Sequence, residues 1–446
     1  MVTLDRWREF AATPKALVFP RLELIGRDHA PPIVAGAGEI RMDTPSQFAF
    51  TLSGTPTDIG YALRELNRHR DNPYDAQARP RLIGIDAAGI SWSGGYTIPH
   101  VTTRSSGWTF GGEIESLLTN EQSAAVSLQA GTELIFLLRI NDPMVFHLAR
   151  YTRDDRPAGE SRREKVMEIL GSTVHFVYED SRSTLLITAS HSPDFPAPYA
   201  ENWLGEPLRI LFGQLIYPRI VARNFGDGRA QVSVRRSPGI IRGARWVALW
   251  GEDDLTQDNS AFWSTYTRLL ALIAHARGKD GSPNFESNKI TRLYEECIQA
   301  ARGSRWVWAL TFASSIEALV KMLIPKELIP AQAKADEIEA KAHASNIAAL
   351  VEHIDLWSGD NRLKQIAIRA AHRSAEITTI RALRNLKAHG VITAAQISAW
   401  ETMRHAVMHG SLVSSYSTKE EDEQLLALAA MLHALTRELL RRSAAG

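Results

Sequence analysis

A chain of 446 residues exceeds one ordinary domain and points to two or three. Its 44% hydrophobic and 23% charged residues suit a globular protein, and a formal net charge of +1 excludes a global pull toward nucleic acid or anionic membrane. A single cysteine, Cys297, excludes an internal disulfide and a thiolate metal site.

The N-terminal "MVTLDRWREFAAT" lacks the apolar core of a signal peptide, and no uncharged apolar run reaches bilayer-spanning length. The expectation is a cytoplasmic protein without membrane contact. The first half then reads as mainly β. "QFAFTLSGT" alternates Phe48, Phe50 and Leu52 with polar neighbours, the period of a half-buried strand. "GISWSGGYTIPHV" supplies short β-prone pieces broken at Gly94 and Gly95, and "AAVSLQAGTELIFLLRI" reads as strand, turn, strand around Gly131. "VHFVYEDSRSTLLITAS" is a hairpin turning near Asp180 to Ser183, "HSPDFPAPY" a Pro-rich loop with His191 and Asp194, and "AQVSVRRS" a further strand. Helical periodicity interrupts this twice, in "TDIGYALRELNRHR" and in "GEPLRILFGQLIYPRIVAR" around residues 206–223.

Composition changes between Pro238 and Asn259, beyond which nearly every run has helical period and an N-cap candidate before it. "DNSAFWSTYTRLLALIAHA", "FESNKITRLYEECIQAARG" and "SRWVWALTFASSIEALVKMLIP" are three helices, the last stopped by Pro325. Cys297 sits in the second as a packed thiol. A mixed-charge stretch follows over 331–353, then helical runs over 361–389, 393–409 and 418–442. The expected class is α+β: a β-rich, sandwich-like domain over 1–240, a connecting helical segment over 241–289, and an all-α bundle over 290–446.

Two stretches in that bundle carry candidate chemistry. "RNLKAHG" holds Arg384, Asn385, His389 and Gly390; "MRHAVMHG" holds Arg404, His405, His409 and Gly410. Helix C-termini favour basic residues and a following glycine, so each stretch also reads as a dipole-stabilised helix end. With 14 histidines in the chain, about one Arg/His pair at this spacing is expected by chance. His405 and His409 share a helix face at the spacing of a zinc-binding pair, but Ala406 stands where a hydrolase would need its glutamate base, and no third ligand follows. No metal or other cofactor is expected. No Walker or dinucleotide glycine loop and no serine nucleophile elbow is present.

A five-residue step along a helix rotates by ~140° and rises ~7.5 Å, so Arg404 and His409 do not converge on one phosphate from a single straight helix. Two copies of the helix meeting about a two-fold axis could converge. Such a set needs no metal: a histidine can move a proton near neutral pH, and an arginine fork can stabilise the charge of a phosphorane-like transition state.

"MRHAVMHG", after a helical "AAQISAWET" and before a long final helix, resembles the motif of HEPN domains, and in particular the ApeA-type HEPN proteins of bacterial anti-phage defence. "ALTFASSIEALVKMLI" resembles the family's first helix, with Glu317 near its middle. The resemblance covers residues 290–446; the N-terminal half is similar only loosely, by position, β content and "ENWLGEPLRILFGQ". It implies a metal-independent endoribonuclease acting in abortive infection, with RNA as substrate (tRNA one candidate), a site composed across a homodimer, and a phage-derived trigger. Arg404 would then stabilise the scissile phosphate and His409 act as acid or base. His405 would hold the motif's polar position, orienting the arginine or contacting RNA, and Glu317 would be a supporting residue, although a surface or helix-capping glutamate reads equally well there. Attack by the 2′-OH would leave a 2′,3′-cyclic phosphate and spare DNA.

The family arrangement, a loop and a long helix after the motif, favours Arg404/His409 over Arg384/His389. Arg381, Arg384, Lys387 and His389 belong to a basic segment over 361–389 with seven Lys and Arg residues. That segment is either a solvated helix face or a phosphate-tracking RNA surface. The competing function is a non-catalytic RNA- or protein-binding module.

Overall fold

The computed structural model describes residues 7–26, 31–104, 107–122, 129–138, 149–151, 162–238, 244–251, 259–278, 280–284, 288–323, 330–375, 379–408, 416 and 418–443. The chain divides into two compact units, 1–295 and 296–446. All the described strands lie in the first and the second is helical, the α+β order expected from the sequence.

The strands are β1 (Lys15–Ile25), β2 (Pro32–Thr44), β3 (Gln47–Gly54), β4 (Arg81–Ile85), β5 (Ser91–Tyr96), β6 (His100–Arg104), β7 (Gly107–Glu113) and β8 (Ser116–Gln122). Then come β9 (Gly131–Leu137), β10 (Ala149–Tyr151), β11 (Arg162–Ile169), β12 (Ser172–Glu179), β13 (Thr184–Ser190), β14 (Ile220–Asn224) and β15 (Arg229–Arg235). They bond as one sheet in the order β10, β11, β12, β13, β9, β14, β15, β8, β5, β4, β1, β2, β3, β7, β6, with every pair antiparallel. In β3 the alternation works as expected: Phe48, Phe50 and Leu52 are buried and their neighbours are not.

The facing layers of this unit come from one sheet curling on itself. Buried Arg219, just before β14, donates from Nη1 to Pro45 O (3.1 Å) and Arg235 O (2.8 Å), and its guanidinium lies 4.5 Å from the Phe48 ring centre. Ser237 N–H reaches Pro45 O (2.7 Å), and Arg236 Nη2 reaches Phe48 O (3.2 Å). The β14–β15 edge thus meets the start of β3, although β8, β5, β4, β1 and β2 lie between β15 and β3 in the sheet. Burial draws the Arg219 guanidinium down to about 10, and its carbonyl acceptors and the Phe48 face compensate the lost water. Phe19, Leu22, Leu24, Ile40, Phe110, Leu117, Val232 and Val234 fill the enclosed core.

Helices α1 (Ile59–Asp71), α2 (Ala197–Phe212) and α3 (Asn259–Ala274) belong to the first unit. The helix expected over 206–223 is corrected in both directions. It starts earlier, with Pro198 in its first turn, where a missing N–H costs nothing, so part of the expected Pro-rich loop is helical. It ends at Gly213, whose φ of 57° is the left-handed stop, and Ile220–Asn224 is strand β14. Apolar residues on both sides of Gly213 run together in sequence and mimic one helical period.

The stretch 241–289, expected to connect two domains, packs into the first unit. Trp263 and Tyr266 of α3 place their rings 4.9 and 5.3 Å from that of Phe176 in β12, and Tyr266 Oη donates to Leu204 O of α2 (2.8 Å). The division between units falls inside α4 (Lys289–Ala300), beyond the expected 238–259 boundary. Buried Glu206 of α2 accepts from Asn288 N–H (2.9 Å) and Thr291 Oγ1 (2.6 Å), and Arg209 ion-pairs with Glu295 (2.6 Å). These bonds tie the first turns of α4 to α2. Burial raises the Glu206 carboxyl above the usual range, against the hydrogen bonds that lower it.

The second unit contains α5 (Arg305–Leu323), α6 (Pro330–Leu356), α7 (Asn361–Ala375), α8 (Thr379–Ala388), α9 (Ala394–Met408) and α10 (Lys419–Ser443). The run expected over 361–389 is thus two helices, with residues 376–378 outside the described residues. α5 is central: Trp308, Phe312, Ile316, Leu319 and Val320 are buried, and α8, α9 and α10 pack around it. Among the described residues α5 is also the one helix long and apolar enough to cross a membrane. A capping box starts α9 and an N-cap threonine starts α10. Thr393 N–H donates to Gln396 Oε1 (2.8 Å) and Gln396 N–H to Thr393 Oγ1 (3.2 Å), whereas Glu421 N–H donates to Thr418 Oγ1 (3.4 Å), whose hydroxyl donates to Glu421 Oε2 (3.2 Å). Of the tryptophans in this unit, Trp308 and Trp400 are buried and Trp357 is exposed. Cys297 is buried with Sγ 3.4 Å from Ser315 Oγ, and burial pushes its thiol up to about 12, so it is inert at neutral pH.

Candidate functional site

Helix α9 sorts its residues by period: Ile397, Trp400 and Met403 are buried, while Glu401, Arg404 and His405 face outward. Trp400 is fixed by its indole N–H, which donates to Ala313 O of α5 (3.1 Å). One turn later, Arg404 lays its guanidinium 5.4 Å from the Trp400 ring centre. Its Nε stands 3.5 Å from Glu317 Oε2 of α5, and its side chain keeps 45% exposure. Glu317 also accepts from Lys321 Nζ, one turn along α5 (2.9 Å). That bond from Lys321 is the largest cause holding the Glu317 carboxyl below its usual range; the Lys321 and Arg404 charges add to it, against the penalty of partial burial. Glu317 is therefore ionised at neutral pH.

Arg404, expected at the phosphate, and Glu317, named only as a supporting residue, are brought together across α5 and α9, a pairing the sequence does not announce. Trp400 joins them, a role the sequence reading did not assign; its i to i+4 spacing from Arg404 is the available signal. His405 is exposed on the last turns of α9. His409, the expected acid or base, follows the last residue of α9 and lies outside the described residues.

The arrangement holds an arginine fork in place while leaving it open to solvent. A long ion pair at 3.5 Å engages Nε and so sets the direction of the guanidinium, leaving the outer edge of its fork toward solvent. A phosphate oxygen arriving there meets a preset cation.

The upstream stretch is arranged differently. Arg381, Arg384 and Lys387 are exposed at three-residue spacing on α8. His389 spends Nδ1 on its own helix, 2.9 Å from Asn385 O. Gly390 has φ +72°, its N–H reaches Lys387 O (2.9 Å), and Val391 N–H reaches Leu386 O (3.0 Å). That pair of bonds is a Schellman stop, the reason a glycine follows the histidine here. Among the described residues Arg384 and Lys387 have no carboxylate within ion-pair distance.

Elsewhere, His191 Nε2 lies 2.9 Å from Thr132 Oγ1 rather than near Asp194, and burial first, then the Arg223 charge, lower its pKa. Among the described residues no three His, Cys, Asp or Glu side chains gather as a metal site. No protein-family model, curated protein or solved structure matches the chain.

Proposed function

We propose that the second unit is a metal-independent endoribonuclease of HEPN type acting in anti-phage abortive infection, with Arg404 and His409 as its catalytic pair. The observation that supports it most is Arg404 itself: oriented by Glu317 and Trp400, yet open to solvent. Preset cations of this kind stabilise charge that develops on a phosphate without reorganising during the reaction. His409, next after α9, would take the 2′-OH proton or protonate the leaving oxygen, and His405 would contact RNA or orient the arginine. Two copies of the chain would face their α9 ends, since one straight helix does not bring residues five apart onto one phosphate. RNA, with tRNA as a candidate, is the substrate, and a phage-derived trigger releases restraint by the β-rich unit.

One observation favours a second reading, a non-catalytic RNA- or protein-binding module: the open charges of Arg384 and Lys387 on α8 suit phosphate tracking without chemistry. The deciding experiment incubates total cellular RNA, in EDTA, with wild type, Arg404→Ala, His409→Ala and His389→Ala. Cleavage in wild type and His389→Ala that ends in 2′,3′-cyclic phosphates and is lost in the other two supports the nuclease. No cleavage by any form, with infected-cell lysate added as trigger, sinks it in favour of the binding module.

A further inference from the structure

The first unit holds a cavity of about 590 Å³ on the outer side of β3, β7 and the connection from β5 to β6. This is within the size range of small-molecule sites. Its lining combines a guanidinium (Arg79), an aromatic ring (Tyr96), an apolar side chain (Ile98), an imidazole (His100) and a carboxylate (Glu113) over a glycine floor. The floor is open because Gly111 and Gly112 carry no side chains. A Cβ on Gly111 would come 2.6 Å from His100 Nε2, and one on Gly112 2.9 Å from the buried Phe50 ring and 3.1 Å from Ile98 O.

The charges around the cavity are unequally satisfied. Glu113 is already paired with Arg236 (2.8 Å). Among the described residues Arg79 has no such partner: its Nη2 reaches Pro73 O at 3.4 Å. The outer nitrogens of its fork are thus not committed to a carboxylate, and a phosphate or carboxylate oxygen entering the cavity can take them as a charge-assisted pair. Beside it Tyr96 is 41% and Ile98 50% exposed, large apolar surfaces that a free phosphate would leave wet.

We infer that this cavity binds a nucleoside 5′-monophosphate, its phosphate on Arg79 and its base against Tyr96, Ile98 and His100. The free oxygen of Glu113 accepts from a ribose hydroxyl or an exocyclic amine. The flat ring of a base supplies the stacking partner that the aromatic wall lacks. The inference stands on the first unit alone and holds whether or not the second unit cuts RNA.

The test is calorimetric titration of the full chain with AMP, GMP, CMP and UMP, with inorganic phosphate as control. At least one nucleotide binds, and both Arg79→Gln and Tyr96→Ala weaken it about tenfold or more. Inorganic phosphate binds far more weakly than that nucleotide. The proposal is overturned by no heat from any of the four, by phosphate binding as tightly as the nucleotide, or by unchanged affinity in Arg79→Gln. Should Arg79→Gln fail to fold, Tyr96→Ala, altered at an exposed ring, decides alone by the same tenfold criterion.

Discussion

Two helix ends carry nearly the same letters, "RNLKAHG" on α8 and "MRHAVMHG" on α9, and their arginines are placed differently. On α8 the histidine bonds back to Asn385 O, the glycine closes a left-handed stop, and Arg384 has no carboxylate anchor among the described residues. On α9 the arginine is held by a carboxylate from another helix and by a ring that is itself fixed to α5. A short motif therefore says little until the neighbouring helix is known. An anchored guanidinium is preorganised; an unanchored one is a solvated charge.

The comparison breaks first at the reacting groups. Arg404→Ala is expected to lower RNA cleavage by about 10²–10³-fold, the range for one preorganised donor, and His409→Ala by about 10²–10⁴-fold. Denaturant midpoints of the variants, measured alongside gel-resolved cleavage rates, should stay near wild type, because Arg404 is exposed. Wild-type cleavage rates in both variants would place the chemistry elsewhere.

Next comes the anchor. Glu317→Gln keeps the size of the side chain and removes the charge that aims Arg404, so cleavage should fall about tenfold. Lys321→Ala, which removes only the other partner of Glu317, should leave cleavage unchanged. The pH dependence separates aiming from proton transfer. Glu317 has its carboxyl pKa depressed in the folded chain, so its contribution is complete above the ordinary carboxylate range and is lost only as pH falls through the depressed value. Between pH 5 and 8, where histidine titrates, Glu317→Gln should lower the rate profile without moving its limbs. A shifted limb would mean that Glu317 takes part in proton transfer.

Much of the architecture was legible because its signals are local. The period-two run of β3 and the N-cap candidates before the helical runs, realised at Thr393 and Thr418, each act within a few residues. The misreading at 206–223 came from a local signal passed over, Gly213, between two apolar runs with different partners. What closes the sheet was not legible at all. Arg219 in "YPRIVAR" reads as a surface charge, and only the curl of the sheet brings Pro45 O and the Phe48 ring to it. The site divides the same way. Arg404 and Glu317 were found through motif resemblance, while the role of Trp400 depends on an indole bond to Ala313 O, 87 residues earlier.

The smallest effects test the α8 end, and they should be effects on stability alone. Gly390 sits at φ +72°, so Gly390→Ala forces a Cβ into the left-handed region at about 1 kcal/mol, or about 3 °C in Tm for a unit of this size. No atom lies within 4 Å of the added Cβ, so that cost is conformational rather than steric. His389→Ala removes one exposed side-chain bond to Asn385 O and should change stability by less than about 0.5 kcal/mol. Cleavage should match wild type in both. A loss of cleavage in His389→Ala at unchanged Tm would move the chemistry to α8, and the open charges of Arg384 and Lys387 would then line the site rather than a passive face.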